Sequence, residues 1–139
     1  SALRHLLSMA AERFSSILAE SHIHDHERLP AAVLQTCRWI RERALTHEVR
    51  LGEAAGACGL SASHLSRLFH RSTGMTFQEY VTRFRLERAC EMLATTNKSV
   101  TTIAFDSGFQ SISQFHRSFR AVYSERPLDF RRRQTALAL

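Results

Sequence analysis

At 139 residues and 44% hydrophobic content the chain is long enough for one domain, or two small ones, with a real apolar core. The formal charge of +6, with 18 of the 19 basic residues being arginine, favours an anionic partner such as nucleic acid over a neutral one, because the guanidinium fork matches phosphate and guanine. No apolar run reaches the roughly 18 residues of a membrane span, no signal-peptide pattern opens the chain, and Cys37, Cys58 and Cys90 are too few and too far apart for a disulfide framework or a C-x-x-C site, so they read as free thiols in a reducing cytoplasm.

The positive charge is not spread evenly. Residues 1–28 hold three arginines against four acids, so the whole excess lies beyond residue 28. Within residues 1–21, Leu3, Leu7, Ala10, Phe14, Ile17 and Ser21 recur at alternating spacings of four and three, a heptad seam widened by Leu6 and Leu18. Three uses are open to such a helix: pairing with a second copy to make a homodimer, closing a preceding regulatory domain, or packing on the rest of this chain. The chain begins with Ser rather than Met, which suits an excerpt of a longer protein. His22, His24 and His26 with Asp25 have metal-ligand chemistry, but a structural zinc site needs four fixed ligands and no cysteine is near. The stretch to residue 28 reads as a solvated hinge, and no metal or other cofactor is assigned.

Pro30 suits the first position of a helix, after which Val33, Leu34, Cys37, Ile40 and Ala44 recur at helical spacing, with Trp39 at the edge of that face and Arg38, Arg41 and Arg43 elsewhere. Beyond it lies an internal repeat. Leu51, Ala54, Ala55 and Gly59 have the spacing of Val100, Ile103, Ala104 and Gly108, at an offset of 49. Ser61, Leu65, Arg67 and Phe69 match Ser111, Phe115, Arg117 and Phe119 at an offset of 50, so the second copy has one more residue in its turn. Each copy is a short helix, a glycine corner and a second helix opened by a serine cap, the pattern of a helix–turn–helix; in the second copy Gln114 stands where a capping box wants it. In that copy Phe115 and Phe119, one turn apart, face a core and leave His116, Arg117 and Arg120 to solvent. Two copies at a fixed period are far more specific than one.

Between the copies, Gly74 stops a helix and Thr76 with Glu79 offers a capping box for the next. That helix changes its apolar side midway: Phe77, Tyr80, Val81 and Phe84 cluster on one side, Leu86, Ala89, Cys90 and Leu93 on the opposite one. It is expected to pack on one body at its start and another at its end, a connector about 25 Å long that ends at Asn97 and Lys98. After the second copy, Tyr123 to Arg126 breaks the helix, and Pro127 opens a last short one with Phe130 inward and Arg131, Arg132 and Arg133 outward. The expected organisation is all-α: an N-terminal helix and linker over 1–28, a first helix–turn–helix (homeodomain-like) module over 29–76, a connecting helix over 77–97, a second module over 98–133 and a frayed tail over 134–139.

With both copies in view, the chain from about Pro30 to Arg133 resembles the DNA-binding region of the AraC/XylS family of bacterial transcription regulators. The second module matches that family's I-A-x-x-x-G-F-x-x-x-x-x-F-x-R-x-F through Ile103, Ala104, Gly108, Phe109, Phe115, Arg117 and Phe119, and its G-x-x-P-x-x-[YF]-R through Pro127, Phe130 and Arg131. The connector matches Y-x-x-x-x-R-L-x-x-A-x-x-x-L through Tyr80, Arg85, Leu86, Ala89 and Leu93. Ser124 stands where the family usually has Gly, which predicts a differently shaped helix end, and Ala54 is smaller than the usual aliphatic residue, which predicts a looser first core. The resemblance implies a transcription regulator that sets two helices into successive major-groove segments of double-stranded DNA. The base-reading side chains would be Ser63, His64, Ser66, Arg67 and His70 from the first, and Ile112, Ser113, Gln114, His116 and Arg117 from the second. Ser61 and Ser111, at the helix N-termini, with Arg71, Lys98, Arg120, Arg131, Arg132 and Arg133 would meet phosphates. The resemblance also implies a small-molecule effector held by a domain absent here, RNA polymerase as a partner if the protein activates, and a cytoplasmic, nucleoid-associated location. An enzyme is disfavoured, since no nucleophile lies beside a base and no glycine-rich phosphate loop is present. A helical adaptor is the other rival, and it would not lose DNA preference when Arg67 and Arg117 are truncated.

Overall fold

The structure, a computed structural model, describes residues 29–137; the heptad helix and the histidine-rich linker lie outside them. Seven helices make up the described residues: α1 (Ala31–Arg43), α2 (Leu51–Ala57), α3 (Ala62–Thr73), α4 (Phe77–Thr95), α5 (Val100–Asp106), α6 (Ile112–Tyr123) and α7 (Pro127–Leu137). They form two cores. Val33, Ile40, Ala54, Ala55, Leu65, Phe69, Tyr80 and Val81 belong to the first, and Leu86, Ala89, Cys90, Leu93, Ile103, Ala104, Phe115 and Phe119 to the second. Helix α4 contributes to both, from opposite sides and opposite halves, as its switch of apolar face requires. Phe69, Phe115 and Phe119 have no exposed surface, and burying each stabilises its module by about 1.5–3 kcal/mol.

The repeat is a structural one. Helices α2 and α5 are offset by 49 residues, α3 and α6 by 50, and the starts of α4 and α7 by 50. Each corner closes in the same way. Leu60 N–H donates to Ala55 C=O over 2.9 Å, and Phe109 N–H to Ala104 C=O over 3.1 Å, with Gly59 (φ 70°) and Gly108 (φ 95°) supplying the left-handed step that side chains resist. The extra residue of the second copy falls between this closure and the serine cap. Edge-on aromatic pairs recur too: Phe69 on Tyr80 at 5.4 Å and Phe119 on Phe130 at 5.8 Å.

Caps set the helix ends. Ser61 Oγ accepts from His64 N–H and Ser111 Oγ from Gln114 N–H, both over 3.1 Å. In α6 the serine bond forms without the reciprocal glutamine bond, so the box expected there is only half made, whereas both bonds of the box expected at Thr76 and Glu79 are present. Ser99 caps α5 through Thr102 N–H.

Five further expectations are corrected. Pro30 is the N-cap of α1, one residue earlier than expected. Leu34 is 48% exposed, whereas Val33, Ile40 and Ala44 are buried as expected and Thr36 joins them inside; the hydroxyl of Thr36 is tolerated there because it donates to Ala32 C=O. Ser124 does not reshape the end of α6. It adopts the left-handed conformation (φ 58°) that Gly74 adopts after α3, with the same closing bond to the residue four before. Helix α7 does not fray after Arg133 but runs to Leu137, with Gln134 on the same face as Phe130 and buried. Arg131, expected outward, turns in toward the end of α4.

Candidate nucleic-acid interface

Helices α3 and α6 hold their inner faces with Leu65, Phe69 and Thr73, and with Phe115 and Phe119. The remaining side chains face out. Ser63, His64, Ser66, Arg67 and His70 of α3 are all exposed, as is Arg71 beyond them. On α6, Ile112, Ser113, His116, Arg117 and Arg120 are exposed, while Gln114 is half-buried and least available. The two sets superpose at the offset of 50: Ser63 with Ser113, His64 with Gln114, Ser66 with His116, Arg67 with Arg117, His70 with Arg120. Neither helix contains an aspartate or glutamate. Among the described residues no ion pair engages Arg67, Arg71, Arg117 or Arg120. Two cationic, polar helix faces therefore stand with their guanidinium donors uncommitted, which is what a carboxylate-poor, phosphate-rich surface requires. Ser66, Arg67, His70, Arg71 and Thr76 line a shallow open depression at the end of the first of them.

The serine hydroxyls at Ser61 and Ser111 accept from the third residue of their helices, so the helix N-termini keep further backbone N–H groups pointing outward. The other cations expected at phosphates differ among themselves. Lys98 pairs with Asp106 at 2.9 Å, Arg132 lies 3.9 Å from Asp129, and Arg133 pairs with Glu125 while lying over the ring of Phe130. These are surface pairs worth at most about 1 kcal/mol and are readily exchanged for a phosphate. Arg131 is committed: it is half-buried, and its Nε and Nη2 donate to Leu93 C=O (3.1 Å) and Thr96 C=O (3.2 Å), the orphan carbonyls at the end of α4.

Arg85 does the same for the first module. Its Nε donates to Ala44 C=O at 2.8 Å and its Nη2 to His47 C=O at 3.1 Å, at the end of α1. Burial lowers its affinity for the proton, an effect that Glu48 partly offsets. The carbonyls match at an offset of 49, but the arginines differ by 46, one helical turn out of register, so the repeat could not have revealed the pair. Glu87, half-buried on α4, has its carboxyl raised above the usual range by burial, against the attraction of Arg41. Burial pushes the Cys90 thiol up to about 12. No helix among the described residues is long and apolar enough to cross a membrane.

A family profile described as a helix-turn-helix domain matches residues 54–133, which takes in both glycine corners and all of α3 to α6. The chain belongs to the AraC/XylS family of DNA-binding transcription regulators. It is 33% identical over 122 residues to the transcriptional activator RhaS of Klebsiella pneumoniae, an alignment that takes in 88% of this chain and 42% of RhaS. The C-terminal domain of AraT, a response regulator from Geobacillus stearothermophilus, superposes with a TM-score of 0.72 at 25% identity, over 76% of this chain and 88% of that one. The DNA-binding domain of AdpA, solved in complex with a target DNA, shares the fold with a TM-score of 0.71 at 22% identity, over 77% of this chain and 96% of that one. The chain spans between 13% and 42% of the length of the curated relatives it matches. This AraC/XylS domain is thus a part-length match to longer regulators, and the family is one of DNA-binding proteins rather than enzymes.

Proposed function

We propose that α3 and α6 enter two successive major-groove segments on one face of double-stranded DNA, with Arg67 and Arg117 reading base edges. The observation that carries this is the pairing of two acid-free helices whose exposed, unpaired arginines occupy equivalent positions of a structural repeat. Arginine bidentate to guanine is the commonest specific contact and discriminates by about 1–3 kcal/mol. Ser63, His64, Ser66 and His70, with Ile112, Ser113 and His116, flank the two arginines and would adjust the preference, Ile112 by apolar contact with a thymine methyl. Gln114 contributes least because of its burial. Ser61, Ser111, Arg71, Arg120, Lys98, Arg132 and Arg133 position the backbone through phosphates; Arg131 is withdrawn from that set.

The 19 residues of α4 span about 28 Å at the α-helical rise, and the modules' own widths bring the reading helices toward the groove repeat of about 34 Å. In the longer protein a separate domain would bind a small-molecule effector, and RNA polymerase would be the partner if this regulator, like RhaS by its name, activates. The protein would work in the cytoplasm at the nucleoid. The test is selection of binders from a randomised duplex pool at physiological salt, followed by Arg67→Ala and Arg117→Ala. Two short boxes about one helical turn apart are expected, with each variant losing preference in one box only and roughly 5- to 150-fold in affinity. Equal loss on all sequences would make both arginines phosphate contacts.

A further inference from the structure

Gly59 and Gly108 hold equivalent places in the two corners, both with positive φ, but their surroundings differ. A Cβ on Gly59 would meet nothing within 4 Å. A Cβ on Gly108 would lie 2.1 Å from the carbonyl oxygen of Ala44, 2.9 Å from Nε of Arg85 and 3.1 Å from Cα of Leu45. The corner of the second module is therefore seated on the end of α1, in the first. The seat is the carbonyl that Arg85 already holds at 2.8 Å, and Arg85 itself is only 6% exposed. The turn does not demand this closeness, since Gly59 makes the same turn in open space. Arg131 caps the matching helix end, and no glycine is packed on it.

We infer that the junction of Gly108, Arg85 and Ala44 is a rivet that fixes the distance and angle between α3 and α6, and so determines which spacing of two DNA boxes this domain accepts. A single helix joining two bodies lets them bend and twist about it. A second point of attachment, made by a buried charged side chain and a backbone contact with no room for a methyl group, removes that freedom. Rigid linkage raises the effective concentration of the second reader only where the span matches, and forfeits the gain elsewhere. One inserted base pair displaces the next groove segment by about 3.4 Å and turns it by about 34°. Arg85 and Gly108 are thus positioning residues, acting on specificity through geometry without touching DNA. The inference rests on both helices engaging DNA together.

The experiment measures affinity of the whole chain for the selected two-box duplex, for the same duplex with one base pair added to or taken from the spacer, and for a duplex with one box. Wild type, Arg131→Lys and Gly59→Ala, the latter two controls for a helix cap and for a positive φ, are expected to lose tenfold or more on either altered spacer (roughly the lower part of the linkage gain). Arg85→Lys, whose ammonium lacks the planar fork that places separate donors on the two carbonyls, and Gly108→Ala are expected to bind the original spacer several-fold more weakly and to lose less than about threefold on the altered ones. If Gly108→Ala does not fold, Arg85→Lys decides. A folded Arg85→Lys with the wild-type ratio between spacers overturns the rivet while leaving the two-reader function intact. Equal wild-type affinity for one box and two overturns the two-reader function, and the rivet with it.

Discussion

Truncating Arg131 separates a structural guanidinium from a DNA-binding one. Its two bonds to Leu93 C=O and Thr96 C=O are charge-assisted, and hydrogen bonds to a charged group contribute about 1.5–3 kcal/mol each when buried. The residue is half-buried, so water replaces part of that, while the charge also offsets the negative end of the α4 dipole and its stem packs on the helix. Arg131→Ala is expected to cost about 2–3 kcal/mol, which for a body of this size lowers Tm by on the order of 10 °C. Arg132→Ala, two-thirds exposed and 3.9 Å from its nearest acid, should stay within about 0.5 kcal/mol of wild type. The assay is urea denaturation of both variants beside a salt titration of DNA binding at a temperature where both are folded. Removing a phosphate contact lowers the salt slope by about one, and removing a helix cap does not. Wild-type stability in Arg131→Ala together with a reduced slope would refute the reasoning and return Arg131 to the phosphate set.

Ser124→Gly should stabilise the chain by about 0.5–1 kcal/mol in chemical denaturation, because a serine at φ 58° bears a cost that glycine escapes; a loss of stability would mean that the serine side chain makes a compensating contact. Glu87 binds its proton more tightly folded than unfolded, so its contribution falls as pH rises through the folded pKa, and Glu87→Gln should be the more stable protein at pH 7 with the difference closing near pH 4. Denaturation at both pH values checks the sign, and a Gln variant that is weaker at pH 7 would show that the attraction of Arg41 outweighs burial. Cys90, 2% exposed and pushed up to about 12, should resist a thiolate-directed reagent at pH 8 and react fully in urea; rapid native labelling, read by peptide mass, would contradict its placement in the second core.

Much of the fold was legible because it is written in local periodicity. The serine caps, Gly74, the Thr76–Glu79 box and the mid-helix change of face in α4 depend on residues within a turn or two of one another, and each appeared where spacing put it. The exposed faces of α3 and α6 were legible for the same reason: a 3.6-residue period that sends Phe115 and Phe119 inward must send Arg117 and Arg120 outward. The misreadings share a different cause. Hydrophobicity alone sends Leu34 inside, although the core side of α1 takes Thr36, whose hydroxyl is satisfied within its own helix. Arg131, Arg132 and Arg133 read as one basic run in the sequence, although successive helical residues point about 100° apart.

The sequence by itself determined that there are two helix–turn–helix units at a fixed offset, that one helix serves both, and which residues those units leave to solvent, since all of this comes from the period of the helix and the chemistry of its ends. Only the tertiary structure decided which arginines are withdrawn from the surface, because Arg85 and Arg131 meet carbonyls between 35 and 41 residues away in the chain. It likewise decided that one of two matched glycines is packed against the other module and its twin faces open space. Contacts between bodies depend on how those bodies are docked, and no local pattern of residues records the docking.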